Sequence, residues 1–229
     1  MNHENQYQPL ITVYIPTYNY AKYIKTAIKS VLNQTYKNFE LIIIDDGSTD
    51  KTADILKTIT DKRVFVYKNK EKKGLIKSSN IAINHASGDF VIRLDADDWF
   101  QSFALQEFVY SIWANPDADL FYCDLLQVHR IGGDIVPFSQ MKKLLYCEGL
   151  NGAGCLIRKD SLFVIGLYDE EFDCQDGYYL MHRALLEAWE IVFIPKTLYI
   201  YYRLPTSLSS EKRPLSLTRR KIAIKLGIK

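Results

Sequence analysis

Residues 39–48 read Phe-Glu-Leu-Ile-Ile-Ile-Asp-Asp-Gly-Ser, a nearly unbroken apolar run that ends in two carboxylates and a glycine. A strand with one face in water alternates polar and apolar residues, so a continuous run of this kind belongs to a strand covered on both faces. Working outward, Leu10 to Ile15 is a short run of β-formers, and Ile24, Ala27, Ile28, Val31 and Leu32 recur at i, i+3, i+4, i+7 and i+8, one face of a helix. On the other side, Ser48 or Thr49 is expected to cap a helix that carries Ile55, Leu56 and Ile59. Arg63 to Tyr67 reads as a third strand, Leu75 to Ala86 as a third helix closed by Ser87-Gly88, and Phe90 to Leu94 as a fourth strand. Strands and helices alternating through short connections predict a parallel sheet flanked by helices.

Beyond Trp113 the order loosens. Asp119 to Tyr122, Leu125 to Arg130, Gly154 to Arg158, Ile191 to Ile194 and Leu198 to Arg203 read as strands, with a turn at Gly132-Gly133-Asp134 and a helix through Leu180, Ala184, Leu185 and Ala188. No internal repeat and no linker rich in Pro, Gly or Ser divides the chain. Residues 1–229 are therefore expected to form one α/β domain, with 10–113 expected to bind a nucleotide, 114–205 to shape the substrate pocket, and 206–229 to be a basic tail.

Composition narrows the function. With 29 basic and 27 acidic residues in 229, the net charge of +2 is too small to call for a nucleic-acid partner. The charge is uneven. Between Ala86 and Ile135 stand nine acidic residues against Arg93 and Arg130, while 62–77 and 212–229 each carry seven Lys or Arg, a distribution suited to a metal and phosphates. Cys123, Cys147, Cys155 and Cys174 have no zinc-ligand spacing and read as reduced thiols. None of the four His sits in a metal-ligand spacing. The opening MNHENQYQPL lacks the pattern of a signal peptide and no apolar run is long enough to span a bilayer, which predicts a soluble, cytoplasmic chain.

In open α/β sheets, ligands bind beyond the carboxyl ends of the strands. Three polar clusters fall there: Pro16-Thr17-Tyr18-Asn19 after the first strand, Asp45-Asp46-Gly47-Ser48 after the second, and Asp95-Ala96-Asp97-Asp98 after the fourth. The last packs three carboxylates into four positions at the mouth of a buried strand, where they repel one another and resist desolvation, so a counter-charge is required.

The segments ITVYIPTYN, DDGSTD, LDADD and the later QDG resemble, in that order and on those elements, the family 2 glycosyltransferases. The resemblance covers residues 10–205. It implies the GT-A (Rossmann-like) fold, a mostly parallel sheet flanked by helices with a smaller mixed acceptor-side sheet. It further implies an inverting enzyme that moves a sugar from a nucleotide-diphosphate donor, expected to be a UDP-sugar, to a glycan or lipid-linked acceptor. The counter-charge is then Mn²⁺ or Mg²⁺, which neutralises the departing diphosphate.

By the same resemblance Asp97 is the metal ligand, and Asp95 binds the donor ribose or assists at the metal. Asp98 either orients one of these or caps a helix beginning near Trp99. Asp46 accepts the N–H of a uracil-like ring, with Asp45 left as a turn residue, and Pro16, Thr17 and Tyr18 line the base pocket, Tyr18 offering a face for stacking. Asn19 is a candidate helix cap. Asp176, which would open the helix through Leu180, corresponds to the family's catalytic base, and the positive end of the helix dipole favours its ionised form. Two positions depart from the family pattern: Gln175 where Glu is common, and Pro205 where His is common. Lys77 and Arg203 are candidates to take up the phosphate charge.

Other classes fit less well. A nucleotidyltransferase would favour a glycine-rich phosphate loop after the first strand, and Pro16 to Tyr23 contains no glycine. A non-catalytic nucleotide-sugar-binding module would not require Asp176, and a glycosidase would not require the nucleotide-binding half. In the tail, Leu215, Ile222 and Leu226 fall on one side of a helix and Leu217, Ile224 and Ile228 on the other, a pattern that suits packing on the domain better than peripheral membrane contact.

Overall fold

The computed structural model describes residues 7–131, 134–137, 152–172, 176–203 and 215–227. Its first half alternates strand and helix: β1 (Ile11–Thr17), α1 (Ile24–Leu32), β2 (Phe39–Asp45), α2 (Thr52–Lys57), β3 (Val64–Lys68), α3 (Leu75–His85) and β4 (Phe90–Arg93). Then follow β5 (Trp99–Phe100), α4 (Ala104–Ala114), β6 (Leu120–Ile131), β7 (Asp134–Pro137), β8 (Leu156–Arg158), α5 (Lys159–Val164), α6 (Asp176–Leu186), β9 (Ile191–Tyr202) and α7 (Leu215–Leu226).

The nine strands among the described residues join one sheet, in the order β3-β2-β1-β4-β8-β6-β9-β5, with β7 beside β6. The pairs β3/β2, β2/β1 and β1/β4 are parallel, as is β6/β9, whereas β8 runs antiparallel to both β4 and β6. The mixed strands of the second half thus continue the parallel sheet of the first half through β8.

Both faces are covered, as residues 39–44 require. Ile11, Val13, Ile15, Phe39, Leu41 and Ile43 pack under α1, α2 and α4, while Tyr14, Ile42, Ile44 and Val91 pack under α3, α5 and α6. Strand alternation assigns each side chain to one of these two cores. It also assigns Arg93, two residues on from Val91, to the face covered by α3, α5 and α6.

Several local expectations are corrected. Neither Ser48 nor Thr49 caps α2, which begins at Thr52 after Lys51. The Ser48 hydroxyl instead accepts the Asn19 amide, because the loop after β2 is laced to the loop after β1 before the helix starts. Trp99 opens the short strand β5, and the next helix begins only at Ala104, because residues 99–100 pair with β9. The two strands expected between 119 and 130 are one, β6, its register against β9 shifting around Asp124, and the two expected between 191 and 203 are likewise one, β9. Helix α5 carries no periodic signal long enough to be read in advance. Gly132, Gly133, Cys147, Cys174, Gln175 and Pro205 lie outside the described residues.

Helix α7 packs on the domain. Ile222 is fully buried beside Phe172 and Tyr179, and Lys225 bridges Asp169 at 2.6 Å and Glu171. Ile224 remains exposed. No helix among the described residues is long and apolar enough to cross a membrane.

At the opposite end of the strands from the acidic clusters, a polar staple joins β1, β2 and the turn before β4. Thr12 Oγ1 and the Ser87 amide both donate to Glu40 Oε1, each at 2.6 Å, and the Gly88 amide donates to Thr12 Oγ1 at 3.0 Å. A Cβ on Gly88 would stand 2.6 Å from the Thr12 nitrogen and 2.8 Å from the Leu10 carbonyl oxygen. Gly88→Ala should therefore push this turn off β1 and cost about 1–3 kcal/mol, the usual range for forced overpacking. A denaturant midpoint equal to the parent's would show that the turn yields freely.

Candidate active site

The loops after β1, β2 and β3 are tied into one rim. Asn19, at φ 61°, accepts on its Oδ1 from the Thr49 and Asp50 amides at 2.8 and 3.2 Å, and Asp50 accepts the Ala21 amide at 3.1 Å. Asn19 is therefore a strap between two loops, where the sequence suggested a helix cap. Asp45 fills the turn role expected of it, its Oδ1 accepting the Ser48 amide at 2.9 Å.

Pro16 and Thr17 are buried at the exit of β1, with the Thr17 hydroxyl lacking a hydrogen-bond partner, and Tyr18 is half-exposed. The Lys72 ammonium lies 4.3 Å from the centroid of the Tyr18 ring, so the face offered for stacking carries a cation in this structure. Asp46 is buried. Its Oδ1 accepts from Asn69 Nδ2 and the Lys73 amide, and its Oδ2 from the Gly74 amide, all at 2.8 Å. Asp46 thus holds the basic β3–α3 loop against the rim, and Oδ2, with one donor, keeps a lone pair for a further N–H.

The acidic cluster after β4 divides by direction. Asp98 points inward: fully buried, it accepts from the Tyr199 hydroxyl and from the Tyr202 amide at 2.7 Å, tying the loop to β9. The helix-cap alternative is replaced by this structural role. Asp95 and Asp97 remain partly accessible. Burial, reinforced by Asp95, pushes the Asp97 carboxyl up to about 7, and among the described residues no Lys or Arg nitrogen stands within ion-pair distance of it. Burial raises Asp95 as well, against the pull of Arg93.

Arg93 is the group that sequence reasoning missed. Its side chain is 3% exposed, Nε lies 2.9 Å from Asp95 Oδ1 without pointing its hydrogen at it, and Nη1 donates to Asp176 Oδ2. Burial opposes the charge, but Asp176 and Asp95 outweigh it and hold the guanidinium ionised. The available signal was one basic residue inside the apolar strand Phe90-Val91-Ile92-Arg93, which a buried charge can occupy only when paired. Asp176 is the first residue of α6, as expected, and the pair with Arg93 carries it to the Asp95 end of β4. Gly152 makes room for it: a Cβ there would fall 2.0 Å from Asp176 Oδ2. Lys77 and Arg203 are both exposed.

A divalent cation suits this arrangement. Among the described residues no three His, Cys, Asp or Glu side chains form a ready-made cage. Mg²⁺, however, is usually held by one or two carboxylates together with substrate phosphates, and Asp97 with Asp95 supplies two carboxylates whose affinity for protons is raised by burial.

Comparison with known proteins agrees with this geometry. The profile of "Glycosyl transferase family 2" matches residues 12–148. Glycosyltransferase GlyG of Streptococcus pneumoniae is 30% identical over 230 residues, covering 92% of this chain and 76% of GlyG. Glycosyltransferase GlyA of the same organism is 27% identical over 223 residues, covering 87% of this chain but 31% of GlyA, so the chain spans about a third of that relative. Among solved structures, residues 1–349 of S. aureus TarS in complex with UDP superpose with a TM-score of 0.71 at 25% identity, over 85% of this chain and 61% of that one. The GT-A fold, the rim of strand-end carboxylates and the matched profile lead to one assignment: this chain belongs to glycosyl transferase family 2.

Proposed function

We propose that the chain is an inverting transferase that moves a sugar from a UDP-sugar to a hydroxyl of a glycan or a lipid-linked acceptor, with Mn²⁺ or Mg²⁺ at the donor diphosphate. Residues 10–113 supply the donor side and 114–205 the acceptor side. The observation that carries this reading is the meeting of Asp176, from the second half, with the Asp95 end of β4, from the first, across one buried guanidinium.

Pro16, Thr17 and Tyr18 would line the base pocket and Asp46 would accept the uracil N–H, with Lys72 yielding the Tyr18 face to the base. Asp97 and Asp95 would hold the metal, whose chemistry is to neutralise charge on the leaving diphosphate. Asp176 would take the proton of the acceptor hydroxyl as its oxygen bonds to the anomeric carbon and the bond from that carbon to the diphosphate oxygen breaks, with the configuration inverted. The carboxylate accepts that proton as attack makes the hydroxyl acidic.

Three outcomes test the roles. With its folded pKa raised to about 7, Asp97 stabilises the metal-free fold fully only below its unfolded value, and that contribution is lost as pH rises toward 7. Metal-free Asp97→Asn should therefore gain melting temperature over the parent progressively between pH 4.5 and 8, and should lose Mn²⁺-dependent stabilisation by UDP. A pH-independent gap, or UDP binding that still responds to Mn²⁺, contradicts the assignment.

Asp46→Ala should weaken UDP by about 1–3 kcal/mol, the cost of an unpaired donor, and weaken other nucleoside diphosphates less. An equal loss for every base would reduce Asp46 to an anchor of the β3–α3 loop. Asp176→Asn should leave Mn²⁺-dependent UDP binding nearly intact and lower transfer roughly 10²–10⁴-fold. Near-normal turnover, or a product with the donor's configuration, would sink the mechanism.

A further inference from the structure

We propose that Arg93 is a positioning residue for the reaction: with Gly152, it fixes the Asp176 carboxylate at the reacting centre and couples it to the donor-side carboxylate Asp95. The proposal rests on Asp176 being the base and goes beyond that reading in naming what aims it.

A guanidinium this deeply buried is tolerated only when carboxylates repay its desolvation. Arg93 has two, at different nitrogens: Nε lies 2.9 Å from Asp95 Oδ1 as an ion pair without donating to it, and Nη1 donates to Asp176 Oδ2. The planar fork makes this possible, whereas a lysine ammonium is a single point of charge. The strand fixes the fork from behind, since the Arg93 carbonyl accepts the Gly154 amide at 2.9 Å and β4 pairs Arg93 with Tyr14 of β1. Asp176 is thus referred to the centre of the sheet, although α6 reaches the site from the far half of the chain.

Gly152 lies against the same carboxylate, beside its contact with Arg93. A Cβ at this position would lie 2.0 Å from Asp176 Oδ2, 2.9 Å from its Cγ and 3.1 Å from Arg93 Nη1, so any larger residue drives Asp176 off its partner. One residue pulls the carboxylate into place and the other leaves it the space.

A double-mutant cycle distinguishes positioning from plain structural support. Turnover is read as UDP release from UDP-glucose or UDP-N-acetylglucosamine, with water as the acceptor, and donor binding as the Mn²⁺-dependent melting shift with UDP. Arg93→Lys and Gly152→Ala are each expected to lower kcat by roughly 10²-fold, the cost of a misplacement near 1 Å, with KM and UDP binding changed less than about threefold. Placed on Asp176→Asn, either substitution should add nothing further, because each acts through the group already removed.

Losses that multiply with Asp176→Asn, or an unchanged kcat in both single variants while Asp176→Asn is inactive, would overturn the proposal and leave the base assignment standing. Near-normal turnover in Asp176→Asn is a different result and removes the base assignment itself. Should circular dichroism show Arg93→Lys unfolded, the Gly152→Ala cycle gives the same decision, since it leaves both charges in place.

Discussion

The site depends on a single buried charge. Arg93 stands at the end of a strand whose other side chains are core, and it can stand there only because Asp95 and Asp176 neutralise it from two directions. The dependence is mutual. Without the guanidinium, two carboxylates from different halves of the chain would share a desolvated space and repel each other. The question posed by three crowded aspartates therefore has a layered answer: Asp98 is held by donors from β9, Asp95 and Asp176 share Arg93, and Asp97 has no Lys or Arg within ion-pair distance among the described residues.

Around this pair the rim is built from loops that fasten one another. Asn19 binds the amides of the loop after β2, and Asp46 binds the loop after β3. Neither fastening is a helix cap or a regular turn; each uses a short polar side chain to satisfy amides that the end of a strand leaves without partners. The rim is accordingly assembled in the protein's own hydrogen bonds, with the lysine-rich β3–α3 loop lying over Tyr18.

The second half extends the same sheet. Antiparallel β8 turns the direction of the strands beside β4, and β6 and β9 then run the length of the domain. Tyr199 on β9 reaches Asp98 and the Asp95 amide, so the far strands brace the acidic loop as well as adding a wall. Helix α7 returns to α6 and to the segment ahead of Asp176, with Ile222 buried and Lys225 across Asp169 and Glu171.

The sequence by itself determined the doubly covered parallel half, because residues 39–44 and 11–15 can be satisfied only between two apolar layers, and helical periodicity in 24–32 and 75–85 supplies those layers. It determined which strand ends carry the polar groups, and that Asp176 opens α6. It left open the divisions of β6 and β9, whose register shift and length are set by partners distant in the chain, and the start of α2, where lacing between loops overrode a local cap. Only the tertiary structure decided that Asp98 faces inward and Asp97 outward. Adjacent carboxylates are chemically alike in sequence, and a Tyr hydroxyl 101 positions away separates them. Only the tertiary structure, too, decided that Arg93 meets Asp176 across 83 residues, because burial of a charge is repaid by its partner's position in space, which no local pattern encodes.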